Sequence, residues 1–376
     1  MQAQKSTAAV LIVGNTLESA DLRYVAGYRT SDRIVYARVA GHGHLVVSEM
    51  DKAWVSQCAP GLQVWSPREL GLSKARRRRL SEWAAALLCR LAARRVQVPS
   101  TFPLGVARRL ARRGLRLDIS DTGVFPQRRV KTALEVARIR LAQRAAVAGM
   151  QAAWALLRAA CVDARGVLRH AGAPLTGEQV RRAINLAAMA LDCVGGDPIV
   201  ACGEQAADPH GIGHGPLHAG EPIVLDIFPQ HAFNGYWGDL TRTVCKGPPK
   251  PGLRAMHAAV AAAQRRALAT VRAGISGSTV HRVVQDEFER RGFKTEVVNG
   301  RPTGFIHSTG HGVGLEIHEE PSLGPRPERL QAGAVVTVEP GLYYPGVGGV
   351  RIEDTVLVTS RGAQLLAPCA RGLVIP

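Results

Sequence analysis

Short runs of β-branched and aliphatic residues, each closed by a turn-forming residue, occupy the start of the chain: AAVLIVG, DRIVYARVA and GHLVVSE. Runs of this kind bounded by Gly, Asn, Asp and Ser read as strands of one sheet. The hydrophobic period then changes. Leu80, Trp83, Leu87, Leu88 and Leu91 recur at helical spacing, with Arg76 to Arg79 and Arg90 outside the stripe, which predicts an amphipathic helix packed on that sheet. In DTGVFPQRRV, Gly123 and Pro126 interrupt any regular element and mark a boundary. Residues 1–126 are therefore expected to form an α/β domain, and 127–376 a second. Across the second, helical patterns near 131–158, 177–191, 252–272 and 278–291 alternate with strand-like runs, as helices covering one curved sheet would. LTGEQV (Leu175 to Val180) and ISGSTV (Ile275 to Val280) each set a hydroxyl residue and a glycine ahead of a helix, an echo that suggests two related halves.

Composition changes this picture little. A chain of 376 residues with 46% hydrophobic content fills two cores. No apolar run reaches the roughly 18 residues of a membrane span, and MQAQKSTAAVLIVG lacks the layout of a signal peptide, so a cytoplasmic protein without a membrane partner is expected. The seven cysteines include no CxxC pair and read as reduced, mostly buried thiols. A formal charge of +18 raises the question of nucleic acid. Against it, lysine is scarce and the arginine runs lie beside helical patterns, not among exposed aromatics, so a solvated arginine-rich surface is the expected reading.

The chemistry lies in three stretches of the second domain. Asp226 follows the apolar strand PIVL, and Asp239 returns 13 residues later after an Asn234-Gly235 turn, so a hairpin sets the two carboxylates side by side. His307, His311 and His318 fall within twelve residues among Gly304, Gly310, Gly312 and Gly314, glycines that let backbone pass close to other groups. Glu339 ends the strand-like AVVTV, and Glu353 sits in GVRIEDTVLV between apolar neighbours, where a buried glutamate needs a partner. A salt bridge from Glu353 to Arg351 is one such partner, and Asp354, pointing to the other face, is the weaker ligand candidate. Four carboxylates and one imidazole suit two divalent cations sharing a water.

These segments resemble the creatinase/aminopeptidase group of pita-bread (M24-type) metallopeptidases, which holds methionine aminopeptidases, prolidases and Xaa-Pro aminopeptidases. The resemblance runs from about Arg128 to the C-terminus through RRVKTALEVARIR, ACGEQAADPH, VLDIF, GDLTRT, STGHGVGLEIHEEP, TVEPGLYY and GVRIEDT. ADLRYVAGYRTSD is similar, more weakly, to the small domain that precedes the catalytic one in proline-directed members. The resemblance implies an α/β N-terminal domain followed by an α+β pita-bread domain with pseudo-twofold halves. It implies that Asp226 chelates one metal, that Asp239 and Glu353 bridge both, and that His311 and Glu339 complete the other. His210 and His318 would contact the scissile amide, Glu339 would handle the nucleophile's proton, and His307 would line the substrate pocket. Arg351 would orient Glu353 or Asp239 from outside the ligand set. The implied cofactors are two divalent ions, with Mn²⁺ expected and Co²⁺, Fe²⁺ or Zn²⁺ as alternatives.

The function so implied is hydrolysis, by a metal-bridged hydroxide, of the bond between an N-terminal residue and proline in short peptides. A homodimer is implied as well, because in related enzymes the N-terminal domain packs across a dimer and restricts the cleft. Two alternatives are another C–N hydrolase of the same fold and a non-catalytic pita-bread binding module. The chain departs from the family pattern where Asp226 and Asp239 stand two residues further apart than usual, where Phe228-Pro229 replaces a common glycine, and at Ser308.

Overall fold

Alternation along the strands of the N-terminal unit, Met1–Pro126, buries both faces of its sheet. The structure is a computed structural model that describes residues 9–121 and 123–376. Six strands lie in the order Gln63–Trp65, His42–Val46, Ile34–Val39, Val10–Gly14, Arg95–Pro99 and Arg116–Ser120. Val10, Ile12, Ile34, Tyr36 and Leu45 face a core with helices α1 (Ala20–Ala26) and α2 (Lys52–Cys58). The intervening Leu11, Val13, Val35, Ala37 and Val46 face α3 (Leu80–Arg90) and α4 (Leu104–Ala111) through Leu87, Leu88 and Leu110. The leucine stripe thus packs on the sheet as its spacing predicts, with Leu91 as the helix cap. The arginine run is partly structural. Arg76 and Arg113 both bond Glu82 at the start of α3, and Arg90 lies 4.4 Å from the centre of the Trp65 ring.

Gln127–Pro376 is built twice over on one plan. In its first half, α5 (Ala133–Ala159) and α6 (Gly177–Met189) cover a sheet ordered Ile199–Cys202, Ile223–Ile227, Leu240–Lys246, Val374–Ile375. Met150, Leu157 and Ile184 of the helices meet Val200, Leu225 and Val244 of the strands in one buried core. In the second half, α7 (Leu253–Thr270) and α8 (Gly277–Arg290) cover Val335–Val338, Asp354–Val358 and Ala363–Leu365. Val260, Val284 and Phe288 meet Val336, Val338 and Val356 there. All four helices fall within three residues of the spans their periodicity predicts.

Local sequence sets the helix starts. Thr132 and Glu135 form a reciprocal capping box on α5, and Thr176 and Gln179 do the same on α6, each satisfying backbone donors that a helix end leaves free. The echo in ISGSTV is only partial. Ser276 occupies the cap position of α8 in extended conformation, but its hydroxyl turns to Ser278 and makes no cap bond.

All seven cysteines are free; Cys193, Cys202 and Cys245 are buried, whereas Cys58, Cys89 and Cys161 are exposed, so the expectation of mostly buried thiols is corrected. These three sit on outward faces of surface elements, where a small side chain suffices. Among the described residues no helix is long and apolar enough to cross a membrane.

Candidate metal centre

The two halves deliver their carboxylates in the same way. Asp226 lies near the end of strand Ile223–Ile227, and Asp239 immediately precedes its antiparallel neighbour Leu240–Lys246. Glu339 immediately follows Val335–Val338, and Glu353 immediately precedes the neighbour Asp354–Val358. Each sheet therefore brings one acidic residue from an outgoing strand and one from an incoming strand to the same edge.

Between Asp226 and Asp239 the chain forms the expected hairpin. Strand Pro229–His231 runs out, Gly235 turns at φ +77°, and Gln230 bridges Trp237 on the way back. Tyr236 of this hairpin donates to Glu135 at 2.8 Å, tying it to the capping residue of α5. Gln143 in α5 then holds Asp239 by both backbone groups, accepting from its N–H and donating to its carbonyl at 2.9 Å each.

His311 arrives on a backbone that only glycine permits. A Cβ on Gly310 would stand 2.0 Å from the Thr337 carbonyl oxygen, and one on Gly312 2.5 Å from that of Glu319. With those positions bare, the segment lies along strand Val335–Val338: Thr337 N–H donates to the His311 carbonyl, and Glu339 N–H to that of Thr309, both at 2.8 Å. Beyond it Glu319 is clamped by Arg128 and by the buried Lys131, each at 2.6 Å, so the residues just before α5 hold the glycine-rich segment in place.

Asp239, His311 and Glu353 present donor atoms that all lie within 4.8 Å of one another. Glu339 Oε1 is 3.2 Å from His311 Nε2 and Asp239 Oδ2 is 3.7 Å from it. Asp226 stands to one side. Its Oδ2 accepts from Arg351 at 2.6 Å and its Oδ1 lies 2.9 Å from the Thr241 hydroxyl, which is also 2.6 Å from Glu353 Oε2. The five residues line one cavity of about 640 Å³, together with His210, His307, His318 and Arg351. His210 and His318 are exposed to it, and the His318 ring meets the His311 ring edge-on at 4.2 Å.

Electrostatics identify what this constellation is suited to hold. Burial, reinforced by Glu353, Asp226 and Glu339, drives the Asp239 carboxyl well above its ordinary range, and burial with Glu339 and Asp226 does the same to Glu353. Glu353 is 1% exposed, yet among the described residues its Oε1 has no hydrogen-bond partner. His311 Nδ1 faces the Gly312 carbonyl at 3.1 Å, so that nitrogen carries the proton and the Nε2 lone pair points at two carboxylates. A lone pair aimed at carboxylate oxygens is stable only with a proton or a cation between them. Burial opposes the imidazolium, but Glu339 outweighs it and lifts His311 to about 9, while burial is in turn outweighed by His311 in holding Glu339 down to about 2. The donor set, one imidazole nitrogen and hard carboxylate oxygens, fits divalent first-row ions.

Arg351 does not act where sequence proximity suggests. It grips Asp226 and the Tyr343 hydroxyl (2.7 Å), and makes no bond to Glu353 or Asp239. The reason is a break in the strand: Arg351 ends Gly348–Arg351, Asp354 begins the next strand, and Glu353 lies between, so alternation does not carry across. Asp354 is fully engaged elsewhere, by Arg242, Arg371 and Gln264, and is not part of the cavity wall.

His307 closes a second relay. Its Nδ1 faces the Ser308 carbonyl at 2.7 Å and so holds the proton; Nε2 then accepts from Tyr343, whose oxygen accepts from Arg351. Burial lowers the affinity of His307 for a second proton. Sequence reasoning passes over Gln143 and Tyr343, and notes Thr241 only as part of the Thr241-Arg242-Thr243 run that follows Asp239; Gln143 lies mid-helix with no signal.

Residues 137–360 match metallopeptidase family M24. Over 180 residues the chain is 38% identical to the Xaa-Pro dipeptidase of Pyrococcus furiosus, covering 47% of this chain and 49% of that protein. Over 181 residues it is 36% identical to an uncharacterized peptidase of Bacillus subtilis, covering 48% of each. These alignments span about half the length of the curated relatives. Among solved structures, a dipeptidase PepE from Mycobacterium ulcerans aligns with TM-score 0.78 at 28% identity over 98% of this chain and 93% of that one. An Xaa-Pro dipeptidase from Bacillus anthracis aligns with TM-score 0.83 at 24% identity over 98% and 95%. The pita-bread fold with paired halves is thus the fold of this protein, and the chain belongs to metallopeptidase family M24.

Proposed function

We propose that this protein is a dinuclear metallopeptidase that cleaves the bond between an N-terminal residue and proline in short peptides. The observation that carries the reading is the His311 Nε2 lone pair directed at the carboxylates of buried Asp239 and half-buried Glu339, beside a Glu353 oxygen with no partner among the described residues. Asp239, His311, Glu339 and Glu353 would hold one divalent ion, and Asp226 with Asp239 and Glu353 the other. Two such ions supply Lewis acidity that lowers the pKa of a water and polarises the scissile carbonyl. The proline preference rests on the relatives named Xaa-Pro dipeptidase. Manganese as the working ion and a homodimer rest on the family resemblance.

The chain's own groups do the remaining work. Glu339, steadied by the Thr337 hydroxyl at 3.1 Å, would take the proton of the attacking water. His210 and His318, both open to the cavity, would donate to the scissile amide and its developing oxyanion. Arg351 and Thr241 fix the orientation of Asp226, as partners outside a ligand set do. His307, with both ring nitrogens occupied, lines the pocket and takes no part in proton transfer.

Bound metal in the purified protein, and hydrolysis of Ala-Pro, Ala-Pro-Ala and Met-Ala-Ser with and without added Mn²⁺, test this reading. Manganese-dependent cleavage of Ala-Pro or Ala-Pro-Ala is expected. Cleavage of Met-Ala-Ser alone overturns the proline assignment. Failure of every peptide leaves the other C–N hydrolases of this fold, or a binding module, as the reading.

A further inference from the structure

Asp197 is an exposed carboxylate on the wall of the same cavity, in a chain where 48 Lys and Arg outnumber 30 Asp and Glu. Among the described residues it forms no ion pair or side-chain hydrogen bond. It is nevertheless well placed. Gly195, which precedes it by two, ends strand Cys193–Gly195 and pairs with Pro229 of the Asp226–Asp239 hairpin. Phe228 lies over Gly196, where a Cβ would come 2.5 Å from the ring, and the Asn185 amide closes on Gly195 in the same way, at 2.1 Å from a would-be Cβ. The two glycines let Phe228 and the Asn185 side chain of α6 pack closely against the backbone here, and Asp197 follows them on the cavity wall.

Apolar side chains share this wall with Asp197. Ile199, two residues on and 7% exposed, is the register partner of Asp226, and Phe228 follows Asp226 by two. The wall beside Asp226 therefore offers an apolar strip ending in one unpaired carboxylate at the solvent side. That order complements a side chain with an aliphatic stem and a cationic tip. In a peptide whose scissile bond lies over the ligand set that includes Asp226, the side chain of the first residue branches next to this strip.

We propose that Asp197, with Phe228 and Ile199, makes the cavity select peptides whose N-terminal residue is lysine or arginine. This inference rests on the peptidase reading above and names its substrate class. The Phe228 ring that packs over Gly196 also supplies the stem-binding surface.

The test compares kcat/KM for Arg-Pro, Lys-Pro, Met-Pro and Glu-Pro in the manganese-loaded full-length protein and in Asp197→Asn and Asp197→Lys. A partly exposed ion pair predicts that Arg-Pro and Lys-Pro exceed Met-Pro by about fivefold at low salt, mostly through KM, with the ratio shrinking as salt is added. Asp197→Asn should bring the Arg-Pro to Met-Pro ratio to unity, and Asp197→Lys should invert it in favour of Glu-Pro. Cleavage of all four without a charge preference, or a preference that survives Asp197→Asn, overturns the role of Asp197 and leaves the peptidase reading standing. Cleavage of none overturns both.

Discussion

The Arg351 guanidinium lies 2.6 Å from Asp226 Oδ2 while Thr241 approaches the other carboxylate oxygen at 2.9 Å, so the orientation of Asp226 is fixed from both ends. Arg351 also reaches the Tyr343 hydroxyl at 2.7 Å and the Pro209 carbonyl at 3.3 Å, which only a planar fork of donors does at once. Arg351→Lys keeps the charge and removes the fork. If orientation is what matters, Mn²⁺ affinity measured by titration calorimetry should fall by about 10–100-fold. An unchanged affinity would show that charge alone suffices at this position.

Four neighbouring carboxylates and a single imidazole are costly to bury without cations. Burial first, then Glu339 and Asp226, raise the Glu353 carboxyl above its ordinary 4.5, so in the metal-free protein its charge opposes folding at neutral pH. A carboxyl raised in the folded state takes its proton more readily there than in the unfolded chain, so the stability it withholds is recovered as pH falls toward the ordinary value and lost as pH rises through the raised one. Glu353→Gln should therefore stabilise the chelator-treated protein by about 1–3 kcal/mol at pH 7, with a smaller gain near pH 4.5. The same variant should lose turnover. Urea unfolding in EDTA at both pH values checks this, and a destabilised variant would mean that Glu353 is satisfied without cations.

How far the sequence reveals this site depends on how local each cause is. The Asp226–Asp239 hairpin follows from an Asn-Gly turn, and the four long helices follow from period and caps within their own segments. The glycines around His311 mark a close approach, although not its partner, which turns out to be Thr337. The part that cannot be read is set by the fold: Gln143 reaches Asp239 across 96 positions and Thr241 reaches Glu353 across 112. Arg351 misleads for a related reason, since two residues share a face only while one strand continues.

Away from the cavity, Glu287 in α8 is 1% exposed and holds three arginines, Arg290 and Arg266 at 2.7 Å and Arg291 at 2.5 Å. Arg290 does most to hold its carboxyl down to about 2; burial opposes, and Arg291 and Arg266 add to the pull. A lowered carboxyl contributes stability that is fully present above the ordinary 4.5 and is lost as pH falls toward 2. Because the arginines are a third to two-thirds exposed, solvent weakens the pairing, and Glu287→Gln should cost about 2 kcal/mol at pH 7. The gap between the two proteins should persist to about pH 5 and close by about pH 2. A gap independent of pH would place the effect in packing instead of charge.

Asp354 follows Glu353 in the chain and should respond to mutation in the opposite direction. Both are 1% exposed, but Asp354 receives Arg242 at 2.7 Å, Arg371 at 2.6 Å and Gln264 at 2.8 Å, whereas one oxygen of Glu353 has no partner. Arg242 is itself 1% exposed and spends its other donors on the carbonyls of Thr241, Cys369, Ala370 and Glu353. It joins the strand of one half to the strand of the other and to the C-terminal segment. Asp354→Ala leaves that buried guanidinium without its counter-ion and should destabilise the protein by about 3–5 kcal/mol, by urea unfolding in EDTA, where Glu353→Gln is expected to stabilise it. Because the cost comes from the stranded charge more than from the lost bond, Arg242→Met combined with Asp354→Leu should recover part of it. If the two neighbouring single variants shift the unfolding midpoint alike, the division of labour between a cavity-facing Glu353 and a load-sharing Asp354 is wrong.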